Sequence, residues 1–174
     1  PVVKGDRVMW SEYKPSLFWE QKNYSVIRTA RIDTSRGELR MTDVRRVGDL
    51  GSRFLPVFVD SSRMAVVEYS KDNIPYLVIG DTLMQTVRRW KIGPVGTSVS
   101  GLAWDDRTAT LAIAIVDESG VWIGRFDEKT GGFEHITPSS YVTVSDLTAR
   151  DGHLYFSSIA HGKNEIHMLD LITG

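Results

Sequence analysis

The chain has 174 residues, of which 41% are apolar and 25% charged, and this ordinary globular composition argues against disorder. Its formal net charge of −1 lacks the basic excess typical of proteins that bind nucleic acid or anionic membranes. The absence of cysteine excludes disulfides and thiolate metal sites but leaves the compartment open. No apolar run approaches the roughly 18 residues of a membrane helix, so direct membrane insertion is not expected.

The first predicted unit is built of short strands. Gly5 to Tyr13 has β-branched and aromatic residues after a Gly-Asp turn, which is typical of a strand, here named strand B. Lys14 to Asn23 contains a proline and no period-two pattern, so it indicates a long loop. Tyr24 to Asp33 follows as strand C, and residues 38–42 follow as the outer strand D.

The later units repeat this plan. In chain order, their strands are FLPVFV, MAVVEYS, YLVIGD and QTVRRW in the second unit, VSGLAW, TLAIAIV, VWIGRFD and FEHIT in the third, and TVSDLTA, HLYFSS and EIHMLDL in the fourth. Inner strands such as TLAIAIV are continuously apolar, which is typical of strands covered on both faces. We place the four units at residues 1–43, 52–92, 98–137 and 142–174.

A repeat of 43 residues links the third and fourth units. The corresponding pairs include Leu111 with Leu154, Ile113 with Phe156, Ile123 with Ile166, Phe126 with Leu169, and Asp127 with Asp170. A period of about 40–45 is typical of four-stranded propeller blades, whereas a β-sandwich, the alternative for many short strands, does not explain it. The expected fold class is all-β, a segment of about three and a half four-stranded antiparallel blades that belong to a larger ring.

Two motifs in the fourth unit identify a related family. LYFSS occupies Leu154–Ser158, and EIHMLDLITG occupies Glu165–Gly174. With these motifs the units resemble the WD-like repeats of TolB-type β-propellers, which also occur in the propeller domains of prolyl-oligopeptidase-like enzymes. His167 stands where the family favours tyrosine, and the family's Ser-Pro-Asp-Gly turn is degraded here to the Asp151-Gly152 pair.

A second resemblance covers the first unit. Trp10–Tyr13, Trp19–Arg28 and Ser52–Phe58 are similar to a subgroup of large exported bacterial proteins in which a TolB-like propeller is one module. This resemblance implies a periplasmic or cell-surface location. Because the chain starts at Pro1 and stops where its internal copy continues, we expect it to be a segment of a longer protein. A truncated ring would expose blade faces, so self-association of two copies is also expected.

The loops on one face of the blades are the expected binding site. In a four-stranded meander the B–C and D–A connections emerge on the same face, which places the loop Lys14–Asn23 beside the D–A loop Asp43–Arg53 and the B–C tip around His161. Aromatic and arginine side chains dominate interface hot spots, so a peptide or protein partner is expected. The candidate binding residues are Phe18, Trp19, Glu20, Arg45, Arg46, Arg53 and His161. Alternatively, Phe18 and Trp19 fold back to cap the first blade.

No motif in the sequence indicates catalysis. The chain has no Gly-x-Ser-x-Gly elbow, no P-loop and no dinucleotide-binding glycine pattern. His153 and His167 are predicted on adjacent strands, and Glu165 is predicted to share a face with His167, but the spacing matches no known set of metal ligands. We therefore expect no catalytic residue, no metal and no cofactor.

The sequence thus favours a non-catalytic β-propeller module for peptide or protein recognition within a larger exported bacterial protein. The alternative is the substrate-gating propeller domain of a multidomain peptidase whose catalytic residues lie outside this segment. A purely structural spacer between other domains is a third possibility. The fold alone does not distinguish among these three functions, because β-propellers have many unrelated activities.

Overall fold

The computed structural model describes residues 1–15, 23–35, 37–160 and 162–173, which form fourteen β-strands and no helix. In this part of the chain, accordingly, no helix is long and apolar enough to cross a membrane. The strands are β1 Val2–Lys4, β2 Arg7–Pro15, β3 Asn23–Asp33, β4 Arg40–Phe58, β5 Arg63–Tyr69, β6 Pro75–Asp81, β7 Val87–Lys91, β8 Ser98–Asp105, β9 Thr110–Asp117, β10 Gly120–Asp127, β11 Gly132–His135, β12 Thr143–Arg150, β13 His153–Ala160 and β14 Lys163–Asp170.

The strands form three antiparallel sheets. A seven-stranded sheet contains β1 to β7 in chain order, a four-stranded sheet has the order β11-β10-β9-β8, and a three-stranded sheet has the order β12-β13-β14. The four-stranded sheet holds the strands predicted for the third unit, and the three-stranded sheet holds those predicted for the fourth. The all-β antiparallel fold class is therefore confirmed. The division of the chain into four blade units stays a prediction.

The predicted loop at Asp43–Arg53 is wrong, because this segment lies within β4. This strand runs for 19 residues and pairs with both β3 and β5. Asp43 and Leu55 each have a φ of 52°, and each lies where the register of β4 shifts, Asp43 against β3 and Leu55 against β5. Left-handed residues of this kind form bulges that bend a strand while it stays in the sheet. A polar segment with two glycines thus continues the sheet although its composition indicates a loop.

Contacts divide the chain into two compact units. The first comprises Pro1–Ser70 and Tyr76–Arg89, and the second comprises Lys71–Pro75 and Trp90–Gly174. The core of the first unit is formed by the buried side chains of Met9, Ile27, Val47, Phe58, Met64, Val66, Val78 and Met84. Burial of each large apolar side chain of this kind contributes about 1.5–3 kcal/mol to folding. The continuously apolar strands β5 and β6 supply three of them, as their sequences predict.

In the second unit, the three-stranded sheet packs on the four-stranded sheet. The two sheets share a core of Ala103, Ala112, Ala114, Ile123, Val144, Leu154 and Leu171. Small residues on the four-stranded sheet allow this close approach, since a Cβ atom added at Gly101 would lie only 2.7 Å from the Cβ of Leu147. Close packing at this point sets the distance between the sheets and therefore the shape of the space between them.

Polar contacts also join these two sheets. Asp105 is buried at the end of β8, where Oδ1 accepts a hydrogen bond from the Gly152 amide at 3.0 Å and Oδ2 accepts one from the Thr108 amide at 2.8 Å. Burial raises the pKa of Asp105, but these hydrogen bonds outweigh it and hold the pKa below its ordinary value. Nearby, Arg125 donates from Nη2 to the carbonyl oxygen of Leu171 at 3.1 Å. The ionised carboxylate of Asp105 and the guanidinium group of Arg125 therefore both link the two sheets.

Candidate functional site

A cavity of about 270 Å³ lies between the two sheets of the second unit. It is lined by Val121, Ile123, Thr137, Pro138, Ser140, Val142, Val144, Phe156, Ser158, Glu165 and His167. The lining is largely apolar, while Ser158, Glu165 and His167 place polar atoms on one wall. Ligand pockets typically combine an apolar lining with a few fixed polar groups. We therefore take this cavity, named the His167 cavity, as the candidate functional site.

The register of β13 and β14 brings the polar residues together. Phe156 lies opposite His167, and Ser158 lies opposite Glu165, in this antiparallel pair. Opposed residues, and residues two apart on one strand, share a face of the sheet. All four side chains therefore lie on the same face, and Phe156 packs against the core that the two sheets share.

His167 lies at the centre of this polar wall. The hydroxyl oxygen of Ser158, a residue only 3% exposed, is 2.7 Å from Nε2 of His167. Oε2 of Glu165 is 3.7 Å from the same nitrogen. The imidazole also stacks on the ring of Phe156, with the ring centroids 5.1 Å apart. These contacts hold the imidazole in place, while the half-exposed Glu165 carboxylate remains open to a ligand.

Backbone hydrogen bonds hold the opposite wall, which is the connection between β11 and β12. The amide of Val121 donates to the carbonyl oxygen of Ser140 at 2.6 Å, and the amide of Ser140 donates back at 2.9 Å. The amide of Ile123 donates to the Thr137 hydroxyl oxygen at 2.9 Å. Gly120 permits this approach, because it has a φ of 113° and any Cβ atom there would collide with the Ser140 carbonyl group. Both walls of the cavity are thus fixed before a ligand binds.

The polar wall does not have the geometry of a hydrolase triad. In a Ser-His-acid triad the serine hydroxyl bonds to Nε2 of the histidine and the acid bonds to Nδ1. Here Ser158 and Glu165 both approach Nε2 of His167. The arrangement offers a ligand hydrogen-bonding groups and a negative charge rather than an activated nucleophile.

The three arginines predicted as binding residues lie on β4 rather than in a loop. Arg45 is exposed, with Nη2 3.0 Å from Oδ2 of Asp43. Its neighbour Arg46 lies opposite Arg28 of β3 and is also exposed. Because adjacent residues of a strand face opposite sides of the sheet, the side chains of Arg45 and Arg46 diverge.

Arg53 lies in a partly buried network of ion pairs. Its Nε is 2.7 Å from Oε2 of Glu68, and Nη2 of Arg89 is 3.1 Å from Oε1 of the same carboxylate. The guanidinium group lies against Gly48, where any Cβ atom would collide with Nη1. With a side chain only 14% exposed, Arg53 has the surroundings of a packed ion pair that holds β4 and β5 together.

The remaining predicted binding residues, Phe18, Trp19, Glu20 and His161, lie outside the described residues. The two ends of the predicted loop at Lys14–Asn23 lie in strands, because β2 extends to Pro15 and β3 begins at Asn23. A binding site on that loop stays a prediction.

Ser158 is the residue of the site that the sequence analysis missed. The prediction that Glu165 and His167 share a face is confirmed. The approach of Ser158 depends in addition on the hairpin register, in which Ala160 pairs with Lys163. Two residues separate Ala160 from Lys163 in the sequence, and this short spacing is the signal that would have placed Ser158 opposite Glu165.

Within residues 1–15, 23–35, 37–160 and 162–173, no group of three or more histidine, aspartate or glutamate side chains is arranged to hold a metal ion. The expectation that the protein uses no metal and no cofactor stays a prediction.

No protein-family model matches the sequence, and no curated protein matches it at a significant level. Solved structures match its fold. A puromycin-hydrolysing peptidase of Mycobacterium tuberculosis is 16% identical, with a TM-score of 0.63 over 97% of this chain and 26% of the peptidase. A prolyl endopeptidase is 16% identical, with a TM-score of 0.57 over 86% of this chain and 22% of that protein. TolB of Acinetobacter baumannii is 14% identical, with a TM-score of 0.56 over 89% of this chain and 39% of TolB.

The chain therefore spans about a quarter of each peptidase and about two fifths of TolB. At these identities the likeness establishes the fold alone. The predicted resemblance to TolB-type and prolyl-oligopeptidase-type propellers is confirmed at this level, and the chain has the fold of part of a TolB-type β-propeller.

Proposed function

We propose that this chain is a non-catalytic recognition module that binds a short peptide segment in the His167 cavity. The main support is the cavity itself, where Ser158, Glu165 and His167 form a polar wall in an otherwise largely apolar lining. Both walls are fixed by hydrogen bonds within the second unit. Because the cavity is already formed, the protein loses little conformational entropy when a ligand binds, and this favours binding.

The size and charge of the cavity indicate the class of peptide. About 270 Å³ is slightly less than the roughly 300–1,000 Å³ of pockets for drug-sized ligands, so the cavity suits one or two side chains. The carboxylate of Glu165 favours a cationic group, and hydrogen bonds between charged partners are about twice as strong as neutral ones. The proposed ligand is an apolar side chain next to a lysine, an arginine or a free α-amino group.

In this proposal the chain is one module of a larger exported bacterial protein, and the peptide segment belongs to a protein partner. A second candidate is the propeller domain of a peptidase, in which the chain admits substrates to catalytic residues located elsewhere. The fold of the puromycin-hydrolysing peptidase and of the prolyl endopeptidase favours this candidate. In both cases the His167 cavity binds peptide and performs no chemistry.

Binding of a small set of labelled peptides tests the proposal. Fluorescence anisotropy would compare an apolar-lysine peptide with the same peptide carrying glutamate in place of lysine. We expect the lysine peptide to bind at least tenfold more tightly, and Glu165→Gln to remove this preference. Glu134→Gln is the matched control, because Glu134 is exposed on β11 and does not line the cavity. Equal binding of the two peptides, or the same loss in both variants, would refute the proposed site.

A further inference from the structure

A second cavity, of about 200 Å³, lies in the first unit and is strongly basic. Arg7 of β2, Arg31 of β3 and Arg45 of β4 line it, together with Thr29 and Asp43. Three neighbouring strands thus contribute one arginine each. The formal charge of these lining side chains is +2, from three arginines and one aspartate.

The strand register places these positive charges side by side. Arg7 lies directly opposite Arg31 in the pair of β2 and β3, and Thr29 lies opposite Arg45 in the pair of β3 and β4. Like charges directly opposite one another destabilise an antiparallel pair. A negatively charged ligand would offset this repulsion.

Two carboxylates among the described residues offset part of this charge. Asp43 lies 3.0 Å from Arg45, and Asp6 lies 3.7 Å from Arg31. All four of these side chains are at least half exposed, so each ion pair is weak in water.

Arg7 also makes two contacts with neutral groups. Its Nη1 donates to the carbonyl oxygen of Ser61 at 3.0 Å, and its guanidinium carbon lies 5.2 Å from the centre of the Phe58 ring. These contacts position the guanidinium group without neutralising it, so the group can bind an anion.

The backbone at the cavity has the bulge described in β4. Asp43 has a φ of 52°, and the register of β4 against β3 shifts between the pair with Arg31 and the pair with Arg45. Bulges re-aim side chains and are frequent beside functional sites, as are non-glycine residues in left-handed conformations. Here the bulge brings Arg45 to the same cavity as Arg7 and Arg31.

We propose that Arg7, Arg31 and Arg45 form a binding site for an oxyanion, either a carboxylate or a phosphate group. Guanidinium groups match both ligands because their planar N–H donors can bind two oxygens of one group. The volume admits one such group with a short attached chain. This site lies in the first unit, whereas the His167 cavity lies in the second, so each proposal can be tested independently of the other.

Titration calorimetry of the protein at low ionic strength tests this site, with inorganic phosphate as one probe and N-acetylglycine as the other. We expect saturable binding of at least one probe, and sodium chloride at matched ionic strength should not reproduce it. Tighter binding of phosphate would indicate a phosphorylated ligand, and tighter binding of N-acetylglycine would indicate a peptide carboxylate. Failure of both probes to bind would overturn the proposal.

Two substitutions with opposite effects separate a binding role from a structural one. Arg45→Gln should weaken binding at least tenfold, whereas Asp43→Asn should tighten it severalfold because it removes the negative charge. Asparagine tolerates the left-handed conformation of residue 43. Arg46→Gln is the control, since Arg46 is adjacent to Arg45 but does not line the cavity. The same loss in Arg45→Gln and Arg46→Gln would overturn the assignment of Arg45 to the site.

Discussion

The four-stranded and three-stranded sheets of the second unit come from one sequence repeat but differ in the burial of one face. Ile123 and Ile166 occupy corresponding positions of the repeat, 43 residues apart, yet Ile123 is 1% exposed and Ile166 is 85% exposed. The reason is that the three-stranded sheet packs on the face that contains Ile123. The repeat therefore determines which residues are apolar, and the neighbouring sheet determines which of them are buried.

Part of the other face and the turns are alike in the two copies. Leu111 and Leu154 correspond in the repeat, and both are almost completely buried. Asp127 and Asp170 correspond as well, and both accept hydrogen bonds from the turn that follows them. The two sheets therefore differ most on the face that contains Ile166. On the other face, Trp122 is 7% exposed whereas its counterpart Glu165 is half-exposed, so the difference there is smaller.

The largest expected effect contrasts the two isoleucines. Ile123→Ala should lower the free energy of unfolding by about 2–5 kcal/mol, because it leaves a cavity in the core that the two sheets share. Ile166→Ala should change it by less than about 0.5 kcal/mol, as for other surface substitutions. Urea denaturation of both variants measures the two values. Equal losses would show that the face with Ile166 is covered in solution.

Self-association of two copies, as proposed, would cover the face that contains Ile166. Measurements at several protein concentrations test this proposal. If a second copy covers this face, the loss caused by Ile166→Ala should grow as the protein concentration rises, since the dimer is then more populated. Sedimentation at the same concentrations would show the dimer directly. A monomer at every concentration would refute self-association.

A smaller effect is expected from the polar link between the sheets. Asp105→Asn should cost about 1.5–3 kcal/mol, because it weakens charge-assisted hydrogen bonds to the amides of Gly152 and Thr108. Asp151→Asn is the control, since Asp151 is an exposed turn residue. Thermal and urea denaturation measure both variants. A loss no larger than that of the control would show that the carboxylate does not join the two sheets.

The same link gives a pH dependence with a defined sign. Hydrogen bonds hold the pKa of Asp105 below its ordinary value of 3.8, so the ionised carboxylate stabilises the folded chain. This contribution is fully present above the ordinary pKa and is lost as the pH falls through the lower folded-state pKa. The stability difference between the wild type and Asp105→Asn should therefore shrink below pH 3.8. A constant difference down to pH 2 would contradict this origin.

Much of the fold could be predicted because its signals are local. The strands β9, β10, β13 and β14 follow apolar patterns between turn residues, and the repeat predicted that they form similar units. The course of β4 could not be predicted. A bulge at Asp43 keeps a polar segment in the sheet, and the amino-acid composition does not reveal the positive φ angle on which this bulge depends.

The site was predictable in part for the same reason. The common face of Glu165 and His167 follows from the period of two along a strand. The cavity depends on the distance between two sheets and on hydrogen bonds such as that from Ile123 to Thr137, which have no pattern in the sequence. The sequence therefore predicted that Glu165 and His167 share a face of β14, but it did not predict the cavity next to them.

The smallest expected effect concerns the turns that the two copies share. Oδ1 of Asp127 accepts from the Lys129 amide at 2.9 Å, and Oδ1 of Asp170 accepts from the Ile172 amide at 2.7 Å. These backbone hydrogen bonds lower the pKa of both aspartates below the ordinary value. Asp127→Ala and Asp170→Ala should each destabilise the chain less than Asp105→Asn, because the turn carboxylates are exposed.

The two losses should also be equal within the error of urea denaturation, since the hydrogen bonds are local to each turn. A larger loss for Asp127→Ala would mean that the contact between the sheets also stabilises the turn after β10. Equal losses beside the unequal pair of isoleucines would separate the two contributions. The stability of each turn would then depend only on the sequence of the repeat. The burial of the face that contains Ile123 or Ile166 would depend on whether a neighbouring sheet packs on it.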